Sequence, residues 1–350
     1  MGQHPKTVGD VVDGLANTPS STPDVQADPV KTATATRQRI REISKTSKLE
    51  TRFVEGRFFI ERFLHRMTRN PRWSEHFVLK GSMLLVDLCG AMLRPTQDFD
   101  AHLERPLTPA EVETCIREVA ATAPELEDGV IFLVDKVATE TIVEGHVPGL
   151  RAAFRAHWAD DARNTFPMKV DLAWGDRPMA PVMRTLPPVI PLPKGHAPVT
   201  LRCYAWEQVL AEKIHALARH GLDTTRMKDV FDLIMLARRA GLDGPQSAEA
   251  IRVTFESWGR PKLTAEIDVL ADRDIFLRIA EPHWKRFLAA KNGVLEAPPR
   301  LADAMDEVEP LIRPILVAAA AGTSPDGGWD TESRTWTASG SSPPPPGSGR

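Results

Sequence analysis

Two aspartates stand two residues apart, Asp98 and Asp100, inside the alternating stretch DFDAHL. On a strand, that spacing sends both carboxylates out of one face while Phe99 and Ala101 turn to the other. Like charges held side by side repel. A divalent cation relieves the repulsion, and Mg²⁺ prefers oxygen ligands shared with substrate phosphates. His102 falls at the far end of the same face. A third carboxylate, Asp171, lies in MKVDL, where Lys169 and Asp171 share one strand face and Val170 and Leu172 the other. Three carboxylates on neighbouring strands can hold two metal ions, one activating an attacking hydroxyl and one steadying a leaving pyrophosphate. Asp176, beside Gly175, reads as a turn residue.

Upstream, Lys80-Gly81-Ser82 sits where a short strand at 76–79 is expected to turn into a helix. Ser82 would cap that helix, which runs to about Cys89 and stops at Gly90. Free backbone N–H groups and the helix dipole make such a turn a seat for phosphate. A glycine there lets a triphosphate approach the backbone closely. A D-x-D alone is common on exposed strand faces, and a serine in this position is often only a cap. The ordered combination, with Arg94 and Thr96 leading into Asp98, is what points to nucleotidyl transfer.

A second group lies further on. In AEKIHA, Lys213 falls on the helical stripe of Val209 and Leu217, beside Leu210 and Ile214. A lysine on an apolar face is destabilising unless its ammonium reaches an anion, such as a triphosphate, or snorkels to solvent. In RMKDVFD, Asp229 and Asp232 are i, i+3 neighbours. Asp229 could meet Lys213 or an acceptor hydroxyl, and Asp232 could pair with Lys228 or Arg226. Arg219, His220, Arg226 and Lys228 form a basic set able to hold an RNA backbone, or merely a solvated helix face. His215, beside Ala216, reads as a packing residue. No G-x-S-x-G, H-E-x-x-H or Walker P-loop is present.

The elements that must position these residues follow from periodicity. Thr51–Arg69 has the apolar spacing of an amphipathic helix. Thr108 and Glu111 form a capping-box pattern for a helix over 107–121. Strands are expected at 98–103, 129–134, 141–147, 150–157 and 168–174. The proline-rich stretch 184–198 reads as a hinge, and beyond it the pattern is almost wholly helical: 206–219, 225–240, 247–258, 274–290 and 301–320. The expected division is a tail at 1–35, a nucleotidyltransferase domain at 36–195, a helical domain at 196–321 and a Pro/Gly/Ser-rich tail at 322–350. Both tails are expected to be disordered, lacking a periodic apolar pattern to offset their ordering entropy.

Composition sets the frame. The 350 residues are 42% hydrophobic and 26% charged, as in soluble globular proteins. The formal charge of −3 neither favours nor excludes a nucleic-acid partner. Cys89, Cys115 and Cys203 are too far apart for a C-x-x-C site and read as small buried residues in a reducing compartment. No secretory h-region and no apolar run of membrane-spanning length are seen, so a cytoplasmic protein without membrane partners is expected.

The segments FVLKGSMLLVDLCGAMLRPTQDFDAHLE, MKVDLAWGD and AWEQVLAEKIHALARHGLDTTRMKDVFDLIML together resemble the AbiEii/AbiGii toxin family of nucleotidyltransferases over roughly 75–240. The resemblance implies an α+β fold: a polymerase-β-like mixed sheet with flanking helices, followed by a helical domain that completes the active site. It implies the toxin of a type IV toxin–antitoxin or abortive-infection system, with a cognate antitoxin encoded elsewhere. It also implies transfer of a nucleotide from a nucleoside triphosphate with Mg²⁺ or Mn²⁺, onto an acceptor such as the 3′ end of tRNA. By the same resemblance Lys80, Gly81 and Ser82 hold the nucleotide. Asp98, Asp100 and Asp171 bind metal, Lys213 contacts the triphosphate, and Asp229 orients or deprotonates the acceptor hydroxyl. Arg219, Arg226 and Lys228 are candidates for holding the acceptor. The family often has a second glycine where Ser82 stands, and His102 inherits no role. A protein hydroxyl as acceptor, or nucleotide binding without transfer, are the alternatives.

Overall fold

The computed structural model describes residues 28–47, 49–90, 98–144, 147–191, 198–289 and 296–337. The chain divides into two compact units. The first holds the residues up to Asp176 with Pro181–Tyr204 and Ala289–Glu296; the second holds Arg177–Ala180, Ala205–Leu288 and the residues from Ala297.

In the first unit, α1 (Pro29–Ser47) and α2 (Thr51–Arg69) lead into β1 (Phe77–Lys80), a 3₁₀ turn (Gly81–Met83) and α3 (Leu84–Cys89). Then come β2 (Asp98–Leu103), α4 (Pro109–Ala121), β3 (Val130–Glu144), β4 (Val147–Trp158), β5 (Asp161–Ala173), β6 (Val182–Thr185) and β7 (Thr200–Cys203). The strands form one mixed sheet in the order β3-β4-β5-β2-β1-β7-β6. β2 runs parallel to β5 and β1 parallel to β7, while β1 and β2 are antiparallel. α4 carries the expected capping box, with Thr108 accepting from the Glu111 N–H and the Glu111 carboxylate accepting from the Thr108 N–H.

One face of this sheet is made apolar by alternation, and α2 covers it. Phe63 meets Phe99, Phe132 and Phe154 at ring-centroid distances of 5.8, 5.4 and 5.2 Å, and Phe58 and Phe59 pack on Trp158. Gly56 permits the approach, since a Cβ there would overlap the Phe166 ring. Removing a ring such as Phe63 from this layer would cost about 3–5 kcal/mol. The burial of Phe99 and Ala101 commits the opposite sheet face to Asp98 and Asp100.

The second unit contains α5 (Trp206–His220), α6 (Met227–Arg239), α7 (Gly244–Trp258), α8 (Asp268–Ala271), α9 (Arg273–Leu288) and α10 (Leu301–Ala320). Its core gathers Leu210, Leu233, Ile251, Phe276 and Ile312, all with no more than 1% of their surface exposed. A mixed sheet with flanking helices and a helical unit after it gives the expected α+β class.

Three boundaries differ from expectation. Residues 29–35, assigned to a disordered tail, begin α1: Asp28 accepts from the Val30 N–H at 2.9 Å, and Ala33, Thr36, Ile40 and Ile43 are buried at helical spacing. The Thr-Ala run hides that stripe because its small residues carry little apolar signal. At the other end, residues 322–337 are ordered, with a two-stranded ribbon of β8 (Trp329–Asp330) and β9 (Thr335–Trp336). Trp329 donates to the Ala237 carbonyl at 2.8 Å and Trp336 to that of Leu311 at 2.9 Å. Two indoles supply large area and a polar handle that composition averages away. The other tail residues, 1–27 and 338–350, lie outside the described residues.

The proline-rich stretch does not mark the division either, which falls at Tyr204/Ala205 and around 176–181. Leu186, Val189 and Ile190 are buried, and the fully buried Arg57 and Glu61 of α2 take the Pro187 carbonyl and the Val189 N–H at 3.3 and 2.8 Å. Among the described residues, no helix is long and apolar enough to cross a membrane.

Candidate active site

Strand register brings the residues singled out in the first unit into one row. Lys80 of β1 pairs with Asp100 of β2, Asp100 with Asp171 of β5, and Asp171 with Arg151 of β4. Paired residues in adjacent strands put their side chains on the same face. The row therefore reads cation, carboxylate, carboxylate, cation across four strands. Asp98 and Lys169 form the next pair along the same face, both exposed.

Gly81 closes the row's edge. Its φ of +74° lies in the left-handed region, and an added Cβ would overlap the Asp100 carboxylate. The glycine is thus required twice, by the turn and by the aspartate that packs on its backbone. The expected helix start moves as a result. Ser82 lies within the 3₁₀ turn, and α3 begins only at Leu84, without a side-chain cap. The six-residue α3 is shorter than the helix the sequence suggested. Arg94 and Thr96 lie outside the described residues.

Asp171 is held. Arg151 grips both its oxygens, from Nε at 2.8 Å and from the guanidinium terminus at 2.7 Å. Hydrogen bonding to Asp171 holds the Arg151 guanidinium well above its usual range, with the charge of Asp98 adding to the effect. Among the described residues, no group of three or more His, Cys, Asp or Glu side chains is gathered closely enough to hold a metal ion. The donor chemistry still suits a hard divalent cation at Asp98 and Asp100, with the Asp100 carboxylate lying against the Gly81 backbone. A cation at Asp171 would share its oxygens with Arg151, which already holds both. Sequence reasoning missed Arg151, whose one signal is its place opposite Asp171 in an alternating strand.

His102 and Asp176 also acquire partners. His102 Nδ1 lies 2.8 Å from Asp176 Oδ1, with both side chains buried. Tyr204 donates its hydroxyl to Asp176 Oδ2 at 3.3 Å. Asp176 is therefore more than a turn residue.

The second unit contains a different cluster. Lys213 reaches Asp229 and Asp232 at 2.7 Å each, and Arg226 Nε reaches Asp229 at 2.6 Å. Asp229 and Asp232 are fully buried. Burial alone would raise the Asp229 carboxyl, but Lys213 and Arg226 outweigh it and hold it well below the carboxylate range. The ammonium on the apolar stripe thus finds its anion inside the protein, and Asp232, expected to pair with Lys228 or Arg226, contacts Lys213. Arg219 and Lys228 are exposed, one in the last turn of α5 and the other in the first of α6. His215 is the packing residue expected: it is buried between Phe255 and Trp258, its Nε2 is 3.1 Å from the Arg260 carbonyl, and burial pushes it down to about 4. The three cysteines are buried, and burial pushes Cys203 up to about 12.

A family model described as "Nucleotidyl transferase AbiEii toxin, Type IV TA system" matches residues 62–307. The fold is similar to a provisionally assigned nucleotidyltransferase from H. pylori, at 15% identity and a TM-score of 0.44, covering 77% of this chain and 95% of that one. It is also similar to MenT4, a nucleotidyltransferase toxin from Mycobacterium tuberculosis H37Rv, at 19% identity and a TM-score of 0.46, covering 83% and 89%. No curated protein matches the sequence.

Proposed function

Because the chain belongs to the AbiEii nucleotidyltransferase toxin family of type IV toxin–antitoxin systems, we propose that it moves a nucleoside monophosphate from a nucleoside triphosphate to the 3′ hydroxyl of an RNA, tRNA foremost. The hydroxyl oxygen attacks the α-phosphorus, the bond to the bridging oxygen breaks, and pyrophosphate leaves. The observation that carries the reading is the register of Lys80, Asp100 and Asp171 across one sheet face, with Gly81 against Asp100.

In this reading Asp98, Asp100 and Asp171 would hold Mg²⁺ or Mn²⁺. When bound, the cation would neutralise the triphosphate and ease loss of the hydroxyl proton. Lys80, Gly81 and Ser82 seat the phosphates, and most of the rate comes from positioning and charge neutralisation. Lys213 and Asp229, tied into a buried ion cluster, are given no part in the transfer, and Arg219, Arg226 and Lys228 are assigned to the acceptor backbone. The reaction is placed in the cytoplasm, and a cognate antitoxin restrains it.

The test incubates the protein with Mg²⁺, each α-³²P-labelled nucleoside triphosphate in turn, and cellular RNA plus lysate protein. Label on RNA, absent with the Asp98→Ala, Asp100→Ala variant, supports the proposal. Label on protein replaces the acceptor, and label on neither overturns transfer.

A further inference from the structure

The sheet face that carries the carboxylate row continues beyond it. Paired residues share a face, so the row of Asp171, Arg151 and Glu140 is followed by Lys169, Ala153 and Ala138, and then by Pro167, Arg155 and Leu133. Successive rows lie roughly 7 Å apart along the strands. The core is on the other side, where Ala152, Phe154, Met168 and Val170 are buried. Each of the three rows contributes one cation, and the three differ in what they hold. Arg151 is committed to Asp171. Lys169 is exposed and, although Asp98 is its register partner on β2, makes no ion pair among the described residues. Arg155 is exposed too, and its partners are the Thr165 hydroxyl and, at 3.0 Å, the Thr165 carbonyl, neither of them charged. That contact takes Nε and one terminal nitrogen; it steadies the guanidinium and leaves the other terminal nitrogen to a further acceptor.

Two exposed cations in successive rows, neither neutralised by an acid, suit an anion that repeats its charge, the backbone of a nucleic-acid strand. Ala138 and Ala153, in line with Lys169, present only methyl groups to it, and Glu140 stands in the Arg151 row rather than between Lys169 and Arg155. The direction of approach follows from the other end of the row. The triphosphate seat is assigned to Lys80, Gly81 and Ser82 on the β1 side, so an acceptor reaches Asp98 and Asp100 from the side of β5 and β4, where Lys169 and Arg155 stand. We propose that Lys169 and Arg155 bind successive phosphates of a single-stranded RNA and lead its 3′ hydroxyl to the Asp98–Asp100 pair. This rests on the nucleotidyl-transfer reading of that pair.

The test is the double variant Lys169→Gln, Arg155→Gln in the full chain. Binding of a fluorescein-labelled single-stranded RNA of about 12 nucleotides is followed by anisotropy over a range of salt. Each phosphate contact on a single strand contributes about 0.7 to the slope of log affinity against log salt, so the double variant should lose about 1.4 of slope and bind about 25-fold more weakly at ~0.1 M salt. The KM for RNA in the transfer assay should rise with it, against an unmoved KM for nucleoside triphosphate. Lys45→Gln, an exposed lysine of α1, which packs on α2 over the opposite sheet face, is the control and should change neither affinity nor slope. An unchanged slope in the double variant overturns the proposal, as does an equal loss in the control. Polyglutamate bound more tightly than the RNA would point to an acidic protein segment instead and also overturn it. If the double variant does not fold, Lys169→Gln alone carries the test, with about 0.7 of slope expected to go. Slope lost as expected in a protein that labels no RNA would support the binding face and sink the transfer reading alone.

Discussion

The two units each bring aspartates together with lysine and arginine, and do opposite things with them. On the sheet, Asp98 is exposed, Asp100 and Asp171 are half-buried, and the cations stand at the row's flanks. In the helical unit, Asp229 and Asp232 have no exposed surface, and Lys213 is spanned by both. Ion pairs open to water exchange partners at little cost, whereas a buried pair broken on one side leaves an uncompensated charge. The same residue types therefore make an exchangeable site in one place and a fixed brace in the other.

Substitutions can break that contrast. The largest expected effect is on the sheet: Asp100→Ala should lower transfer at least ~10³-fold. Its thermal midpoint should stay within a few degrees of wild type, and an active variant would remove the carboxylates from the chemistry. Lys213→Met should do the reverse in character, destabilising the protein by about 3–5 kcal/mol in urea titration, because two buried aspartates lose their shared cation. A loss below about 1 kcal/mol would show that the cluster is not a brace.

Gly81→Ala should fall between the two. A left-handed alanine costs about 1–2 kcal/mol of stability, but transfer should drop about 10²-fold because the methyl group displaces the Asp100 carboxylate. Equal, small losses in both measurements would contradict the close packing of Gly81 on Asp100.

The mildest expected effect is one of pH and sharpens the picture of the helical unit. His215 is held neutral, at about 4 against 6.5 when unfolded. The unfolded chain therefore takes up the proton first as pH falls. The stabilisation is present above pH 6.5 and is lost as pH falls toward about 4. Denaturant titrations should show a loss on the order of 2 kcal/mol across that window, flattened in His215→Phe.

Much of this was legible in the sequence where one rule sufficed. Alternation placed Asp98 and Asp100 opposite Phe99 and Ala101, and the capping box and apolar stripes placed α2, α4 and α10. Where two distant segments had to meet, the sequence was silent. Nothing near Arg151 announces that it faces Asp171, because the pairing depends on the register between β4 and β5. His102 and Asp176 each looked inert alone, and only the return of the chain to Tyr204 makes them a group. Lys213 was correctly marked as needing an anion, but whether that anion was a ligand or two aspartates from α6 is a tertiary fact. The tails misled for another reason: composition averages over windows, and two tryptophans outweighed a run of glycine, serine and proline.

The row across four strands also sets when the protein can become active. Lys80, Asp100, Arg151 and Asp171 come from segments spread over ninety residues, and their alignment depends on the parallel pairing of β2 with β5. Parallel pairing between distant segments is among the slower steps of folding. A chain still emerging from the ribosome, with β5 unmade, has no third carboxylate and no fixed register for the first two. Until β5 is made and paired with β2, Asp171 cannot join the row that Lys80 and Asp100 begin.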